Sequence, residues 1–253
     1  MKIAVYTALY GNKDILRVPI SYRNTADIDY FVFTDNENLN IYPYKTIFNS
    51  KQFNDVAKNA RYFKILGDPI LQHYDYVIWH DANINIKHNY IINLTKKGQA
   101  TFLVTFTHPN RNDFYSEAMS CIRVEKDFSL RILRQVFYYF IEGMPAHHGM
   151  YATGILIKNQ SIDSGDFYKI WWKQTLKHSR RDQLSIAYTI FKTKAYISVI
   201  DDDILSNKYS TYYAHEYLDY KEEKNIMLYN FSFLKKLSYG IVKGMRKFKK
   251  LTQ

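Results

Sequence analysis

Apolar residues gather along this chain in short runs, separated by longer stretches in which they recur every three or four positions. The runs read as strands at residues 2–7, 30–34, 76–80, 101–106, 154–158 and 195–200. In the stretch after the second strand, Phe53, Val56, Ala60 and Phe63 share one helical face, and Asp68-Pro69 stands where that helix should stop. On this spacing Arg61 and Lys64 fall away from the buried stripe. A further helical stretch covers residues 115–141 and ends at the Gly143-Met144-Pro145 breaker, and 167–176 and 183–191 read as two more helices. Strands alternating with helices predict an α/β fold, a mostly parallel sheet with helices on both faces.

The run at 76–80, YVIWH, leads directly into Asp81-Ala82-Asn83. A fully buried strand that ends in a carboxylate delivers it to the rim of a parallel sheet, where open α/β folds bind ligands. In extended chain, residues i and i+2 point to one side, so Asp81 and Asn83 would present two oxygens to one cation or one hydroxyl. Hard ions such as Mg²⁺ or Mn²⁺ take oxygen ligands and share them with substrate phosphates. Two acidic triplets compete, Asp27-Ile28-Asp29 and Asp201-Asp202-Asp203; the second also follows a strand and reads equally as a solvated turn.

Polar groups recur at other strand ends. Loops after parallel strands converge on one edge, so Thr7, Tyr10, Gly11, Asp35, His108 and Arg111 are expected to line one cleft. There Asp35 would accept from a base or ribose and Arg111 would hold an acidic group. His147-His148-Gly149 and Tyr151-Ala152-Thr153-Gly154 precede a buried strand. With one Cys in the chain, His148 and Gly154 read as substrate contacts and not as parts of a zinc site. Arg180-Arg181-Asp182-Gln183 opens a helix, with Asp182 placed to cap it and the arginines making a corner suited to anions.

A length of 253 residues allows one large domain and a tail, drawn here at 1–225 and 226–253. The 24 Tyr and 16 Phe suit sugar or nucleotide surfaces, and equally an aromatic core. Charge sharpens the picture more than composition does. Of the net +11, seven basic residues with no acid lie in residues 228–253. Leu234, Leu237, Ile241, Met245 and Phe248 fall on one stripe of that segment, which predicts a basic amphipathic helix lying on an anionic membrane surface. Basicity confined to one terminal helix, with no recognised motif in the body, argues against nucleic acid as a partner. Cys121 alone excludes an internal disulfide and suits a reducing cytoplasm. The first residues read as a strand, not a signal peptide, and no window approaches a membrane span. The expectation is a cytoplasmic protein, peripheral on the inner face of the membrane.

Seven segments in order resemble the DUF616 group of glycosyltransferases, which includes plant Golgi proteins and bacterial polysaccharide enzymes. They are YTALYGNKD (6–14), FVFTD (31–35), KNARYFKI (58–65), YDYVIWHDANI (74–84), HPNRNDFYSEA (108–118), YATGILIKN (151–159) and WWKQTLKHSRRDQLSIAY (171–188). The resemblance implies a GT-A-like, Rossmann-type sheet that binds a nucleotide-sugar, often with a divalent cation (Mn²⁺ or Mg²⁺) on an Asp-x-Asp-like triplet. It puts the metal and diphosphate at Asp81-Ala82-Asn83 and sets Asp182 and Gln183 beside the donor sugar. Asn83 departs from the stricter triplet and is a neutral, weaker ligand.

Transfer from such a donor needs stabilisation of charge on the departing phosphate, for which Arg61, Lys64, Arg180 and Arg181 are candidates. It also needs a base or a face that tolerates oxocarbenium character, and Asp182 suits either. The expected function is transfer of a sugar from a nucleotide-sugar to a glycan or lipid-linked acceptor, in cell-surface polysaccharide biosynthesis of the lipopolysaccharide or capsule type. The alternative is a non-catalytic nucleotide-sugar or glycan-binding protein on the same fold.

Overall fold

The computed structural model describes residues 1–11, 14–215 and 232–252. The chain forms two compact units. The first comprises Met1–Pro109, Ala152–Tyr168 and Tyr196–Tyr220; the second comprises Asn110–Tyr151, Lys169–Ala195 and Lys221–Gln253.

The first unit is built on a seven-stranded sheet of β1 (Ile3–Leu9), β2 (Ile28–Thr34), β3 (Tyr44–Phe48), β4 (Tyr76–His80), β6 (Leu103–Thr107), β7 (Tyr151–Asn159) and β8 (Ser198–Ile200). Their order across the sheet is β3-β2-β1-β4-β7-β6-β8. β1 to β4 run parallel, β6 and β8 pair in parallel, and β7 runs against β4. The expected α/β fold with a mostly parallel sheet flanked by helices is what forms. β5 (Ile84–Ile86) and β9 (Ser210–Tyr212) make a small antiparallel pair beside it.

Three strands escaped the hydrophobic pattern, β3, β5 and β9. β3 lies at the sheet edge and buries only Tyr44, so its sequence reads as half polar. β5 and β9 have three residues each, too few to show a period.

Every residue of β1 is buried, as befits a strand enclosed on both faces. Helix α1 (Val56–Leu66) packs on β1; Asp55 caps its start by accepting from the Ala57 amide, and Gly67 at φ 77° ends it before Asp68. Its inward face differs from the predicted stripe. Asn59, Phe63, Lys64 and Ile65 are buried, so Lys64 points into the protein and not away from it. α2 (Ile91–Lys97) is a second helix of this unit, with Ile91 and Leu94 in the core.

The second unit contains α3 (Phe114–Arg123), α4 (Ser129–Ile141), most of α5 (Phe167–Lys177), α6 (Asp182–Thr193) and α7 (Ser232–Leu251). The single helix expected over 115–141 is two. Glu125 at φ 55° turns the chain after α3, and the Asp127 carboxylate accepts from the Phe128 amide just before α4 begins. The core is aromatic, with the Tyr139 and Tyr188 rings stacked at 3.8 Å. α7 packs against α3 and α4 through Ser238, Val242 and Met245. The expected domain boundary at 225/226 lies outside the described residues.

Candidate active site

The strand order fixes where to look. Going from β1 the chain adds β2 and β3 on one side and then β4 on the other, so the crevice beyond the carboxyl ends of β1 and β4 is a topological switch point. A cavity of about 70 Å³ lies there, lined by Leu9 at the end of β1 and Tyr10 after it, Ala60 and Arg61 of α1, and Asp81 and Asn83 after β4, among others. Its volume matches about two waters, enough for an ion or part of a phosphate. The face of α1 carrying Val56 and Ala60, predicted as core, looks into this cavity.

Asp81 is the electrostatic centre of the crevice. Its Oδ1 accepts from Trp79 Nε1 at 2.9 Å and from Lys64 Nζ at 3.1 Å, with Arg61 Nη1 at 3.7 Å. The same Lys64 ammonium donates to Thr153 Oγ1 at 3.1 Å. The Lys64 side chain is 1% exposed and that of Asp81 27%, so the lysine lies beneath the rim and supports the carboxylate from below. Lys64 is itself held by its backbone. Lys158 of β7 donates to the carbonyls of Lys64 and Ile65 at 2.8 and 2.9 Å, satisfying acceptors in the last turn of α1. Burial, with the Lys64 charge nearby, pulls the Lys158 amine down to about 7.

The neighbours of Asp81 are set by close packing. Its amide donates to the Gly154 carbonyl at 2.8 Å, and a Cβ on Gly154 would stand 2.5 Å from Ile84 Cδ1. His80 is buried between the Tyr44 hydroxyl and the Asp81 carbonyl, and burial pulls its pKa to about 4, so it is neutral at pH 7. The extended-chain argument for Asp81 and Asn83 does not hold, because the Ile84 amide donates to the Asp81 carbonyl at 2.8 Å and makes 81–84 a turn. Asn83 nevertheless reaches the same cavity, anchored by its Nδ2 donating to the Tyr213 carbonyl at 3.0 Å.

Other expected residues of this unit take varied positions. Thr7 is buried within β1 and its hydroxyl has no hydrogen-bond partner. Tyr10 stacks on Phe63; burial and then the Asp35 and Asp68 charges raise its hydroxyl above the usual tyrosine range. Gly11, at φ 67°, donates its amide to Asp35 Oδ1 at 3.1 Å, and Asp35 Oδ2 meets Lys51 at 2.9 Å. The Asp35 carboxylate thus braces the loop after β1. His108 is half-buried beyond the end of β6.

The rival acidic triplet behaves as a turn. Asp202 and Asp203 accept from the backbone amides of Asp203 and Leu205, and Asp201 accepts from the Thr107 hydroxyl. An open cavity of about 810 Å³ borders Asp201 and Asp202, larger than the one at Asp81. It flanks the edge strand β8, away from the switch point, and position decides against it.

In the second unit, Arg111 Nη1 pairs with Glu117 Oε2 at 2.9 Å and its Nη2 donates to Ser120. Arg181 is the residue before α6 and its Nη2 donates to Gln183 Oε1 at 2.8 Å. Asp182 is therefore the first helical residue and not the cap; it is 1% exposed, and its carbonyl accepts from Trp171 Nε1. The turn before it hangs on Asp127, whose Oδ2 accepts from the Ser179 hydroxyl and the Arg180 amide at 2.7 and 2.9 Å. His148 packs edge-on against Phe191; burial lowers its pKa.

A family profile described as TOD1/MUCI70, glycosyltransferase-like domain, matches residues 1–209. The chain belongs to this family. The matched span contains every expected site residue from Thr7 to Gln183 and stops before α7. No curated protein matches the chain. Among solved structures, mouse xyloside xylosyltransferase 1 in its apo form is similar at 9% identity, over 79% of this chain and 84% of that one, with a TM-score of 0.43.

Thr153, Trp79, Lys158, Asp127 and Glu117 lie outside the set of site residues expected from sequence. Lys158 carried a usable signal, since a lysine inside the apolar run GILIKN must find buried acceptors. So did Lys64, four residues after Ala60 and thus on the border of the apolar stripe. Asp14 and His215, paired at 2.8 Å, also line the Asp81 cavity. Nothing in the spacing of a residue so far along the chain as His215 points to Asp81.

Proposed function

We propose that this protein is a nucleotide-sugar-dependent glycosyltransferase that receives the donor diphosphate at the crevice beyond β1 and β4. The observation that carries the reading is Asp81, a carboxylate at the switch point of the sheet in a chain of glycosyltransferase-like family.

The donor set there suits a shared cation better than an all-protein cage. Among the described residues no group of three or more His, Cys, Asp or Glu is arranged to hold a metal. Asp81 and Asn83 line the cavity together, however, and Mg²⁺-like ions commonly take one or two protein oxygens and the rest from substrate phosphates. In this reading Asp81 and Asn83 hold the ion, which supplies positive charge to the departing diphosphate when bound.

The protein's own groups do the remainder. Lys64 and Trp79 fix the Asp81 carboxylate in one orientation, and Arg61 adds a cationic wall to the cavity. Gly154 keeps the space beside Asp81 clear of a side chain. As the sugar leaves, the bond from its anomeric carbon to the phosphate oxygen breaks with its electron pair going to the diphosphate, and a bond to the acceptor oxygen forms. For Asp182, with Gln183 beside it in sequence, the reading keeps the role that the resemblance implies, as base for the acceptor proton or as the charge facing the oxocarbenium carbon. The acceptor is assigned as a glycan or lipid-linked glycan of a cell-surface polysaccharide.

The test is a panel of nucleotide-sugars with the full-length protein, with and without Mn²⁺, following release of nucleoside diphosphate. One donor should be turned over, and Asp81→Ala should abolish that release. Tight donor binding with no release in any condition would instead establish the non-catalytic reading, and full activity in Asp81→Ala would move the site elsewhere.

A further inference from the structure

α7 is not a detached tail, and its docking divides its residues into two classes. Three of its basic side chains turn inward. Lys235 pairs with Glu125 at 2.6 Å, Arg246 with Asp113 at 2.6 Å, and Lys249 lies 4.8 Å over the Phe140 ring. Ser238 and Val242 are buried between them. Met245, expected on the outer stripe, packs into the core of its unit.

What remains outside is ordered by the helical period. Successive residues turn by about 100°. Phe233, Leu237, Ile241, Phe248 and Leu251 then form one exposed strip, with Phe248 at 55% and Leu251 at 77% exposure. Lys236, Lys243, Lys247 and Lys250 form a second exposed strip alongside it. None of these four lysines takes part in an ion pair among the described residues.

The neighbouring helix extends the apolar strip. Phe140 of α4 meets Phe248 at 5.8 Å, which sets α4 on the apolar side of α7, and Phe137 and Ile141 on α4 are themselves 53% and 65% exposed. Arg246 and Lys235 reach α3 and the turn after it, on the side of the lysine strip. The second unit therefore carries an apolar band across two packed helices with a row of lysines along one margin. Exposed aromatic and aliphatic side chains in such an arrangement match an anionic bilayer surface, whose interface takes the apolar band while its headgroups meet the lysines.

We propose that α7 and the adjoining face of α4 form a folded platform that docks this protein on anionic membranes. The proposal goes beyond the assignment of transferase activity and does not depend on it. Only four of the seven basic residues of the tail act on the membrane, since the other three are held inward. Each exposed lysine should contribute about 5-fold in vesicle affinity, so losing all four should weaken binding by about 10²- to 10³-fold.

The experiment uses the full chain with vesicles of phosphatidylglycerol and phosphatidylcholine, and with phosphatidylcholine alone, in sedimentation at about 0.15 M salt. The protein should pellet with the anionic vesicles. Replacing Lys236, Lys243, Lys247 and Lys250 by Gln should remove this binding while the melting temperature stays put; replacing Leu237, Ile241 and Phe248 by Ser should also remove it, with a lower melting temperature because these side chains are partly buried, but with a native circular dichroism spectrum at the assay temperature. Phe248→Trp should give an emission maximum that shifts to the blue on anionic vesicles. Indifference of the unaltered protein to anionic vesicles overturns the platform, as does undiminished binding by either multiple variant. Retention on heparin or DNA without vesicle binding overturns it in favour of a polyanion partner.

Discussion

The pair of Lys64 and Asp81 predicts an asymmetry that intuition about a rim residue would miss. Lys64→Met removes the ammonium and keeps the stem. It loses hydrogen bonds to Asp81 and Thr153, each of a kind that contributes about 1.5–3 kcal/mol when fully sheltered. Asp81 is 27% exposed and regains water, so the net loss should be about 1–2 kcal/mol. Asp81→Asn leaves an ammonium that is 1% exposed without the carboxylate opposite it, and Arg61 nearby then adds repulsion. Breaking a buried pair from that side costs about 3–5 kcal/mol. For a chain of this size the melting point should fall by about 2–8 °C in the first variant and about 6–20 °C in the second. The double variant should be more stable than Asp81→Asn alone. Urea unfolding of all four proteins, followed by circular dichroism, gives the cycle; a coupling below about 0.5 kcal/mol, or an Asp81→Asn protein no weaker than Lys64→Met, would refute the view that Lys64 depends on Asp81.

Gly154→Ala should force Ile84 aside, lower stability by about 1–3 kcal/mol and weaken donor binding, read by melting and by donor titration. Asp182→Asn should cut turnover by about 10²-fold or more, while the lost charge at the start of α6 costs about 0.3–1 kcal/mol; equal turnover would leave Asp182 a purely structural residue. His80 has its pKa pulled from 6.5 to about 4 by burial, so between those values the unfolded chain binds the extra proton. Stability should therefore fall as pH drops from 6.5 towards 4, by up to about 3 kcal/mol, and His80→Gln should flatten that part of a melting-versus-pH curve.

Periodicity found the buried strands well and their polar partners poorly. The run at 76–80 coincides with β4 at both ends because four apolar residues and a following Asp leave little ambiguity. The spacing shows where α1 lies but not how it is rotated. An apolar stripe marks a face hidden from water, and here part of that face lines a cavity while a lysine takes a core position. The break between α3 and α4 leaves no mark in the pattern because both helices keep their apolar positions through it; the interruption is made by Glu125 and Asp127, whose types are ordinary within a helix. The partners of Asp81 were legible only in fragments. Lys64, Trp79 and Thr153 come from three separate segments, and no local pattern reports contacts made across 89 positions.

The direction of β7 bears on how this site would be retargeted. In parallel α/β proteins new specificity is usually grafted into loops that follow strands, because those loops reach the binding edge. Here the stretch beside Asp81 is the entry into a strand that runs the opposite way, with Thr153 and Gly154 already hydrogen-bonded to the crevice. Exchanging the loops after β1 and β4 would leave that wall as it is. A library meant to change the donor would have to vary Ala152 to Gly154 as well, at the start of a strand whose pairing with β4 begins at Ile155.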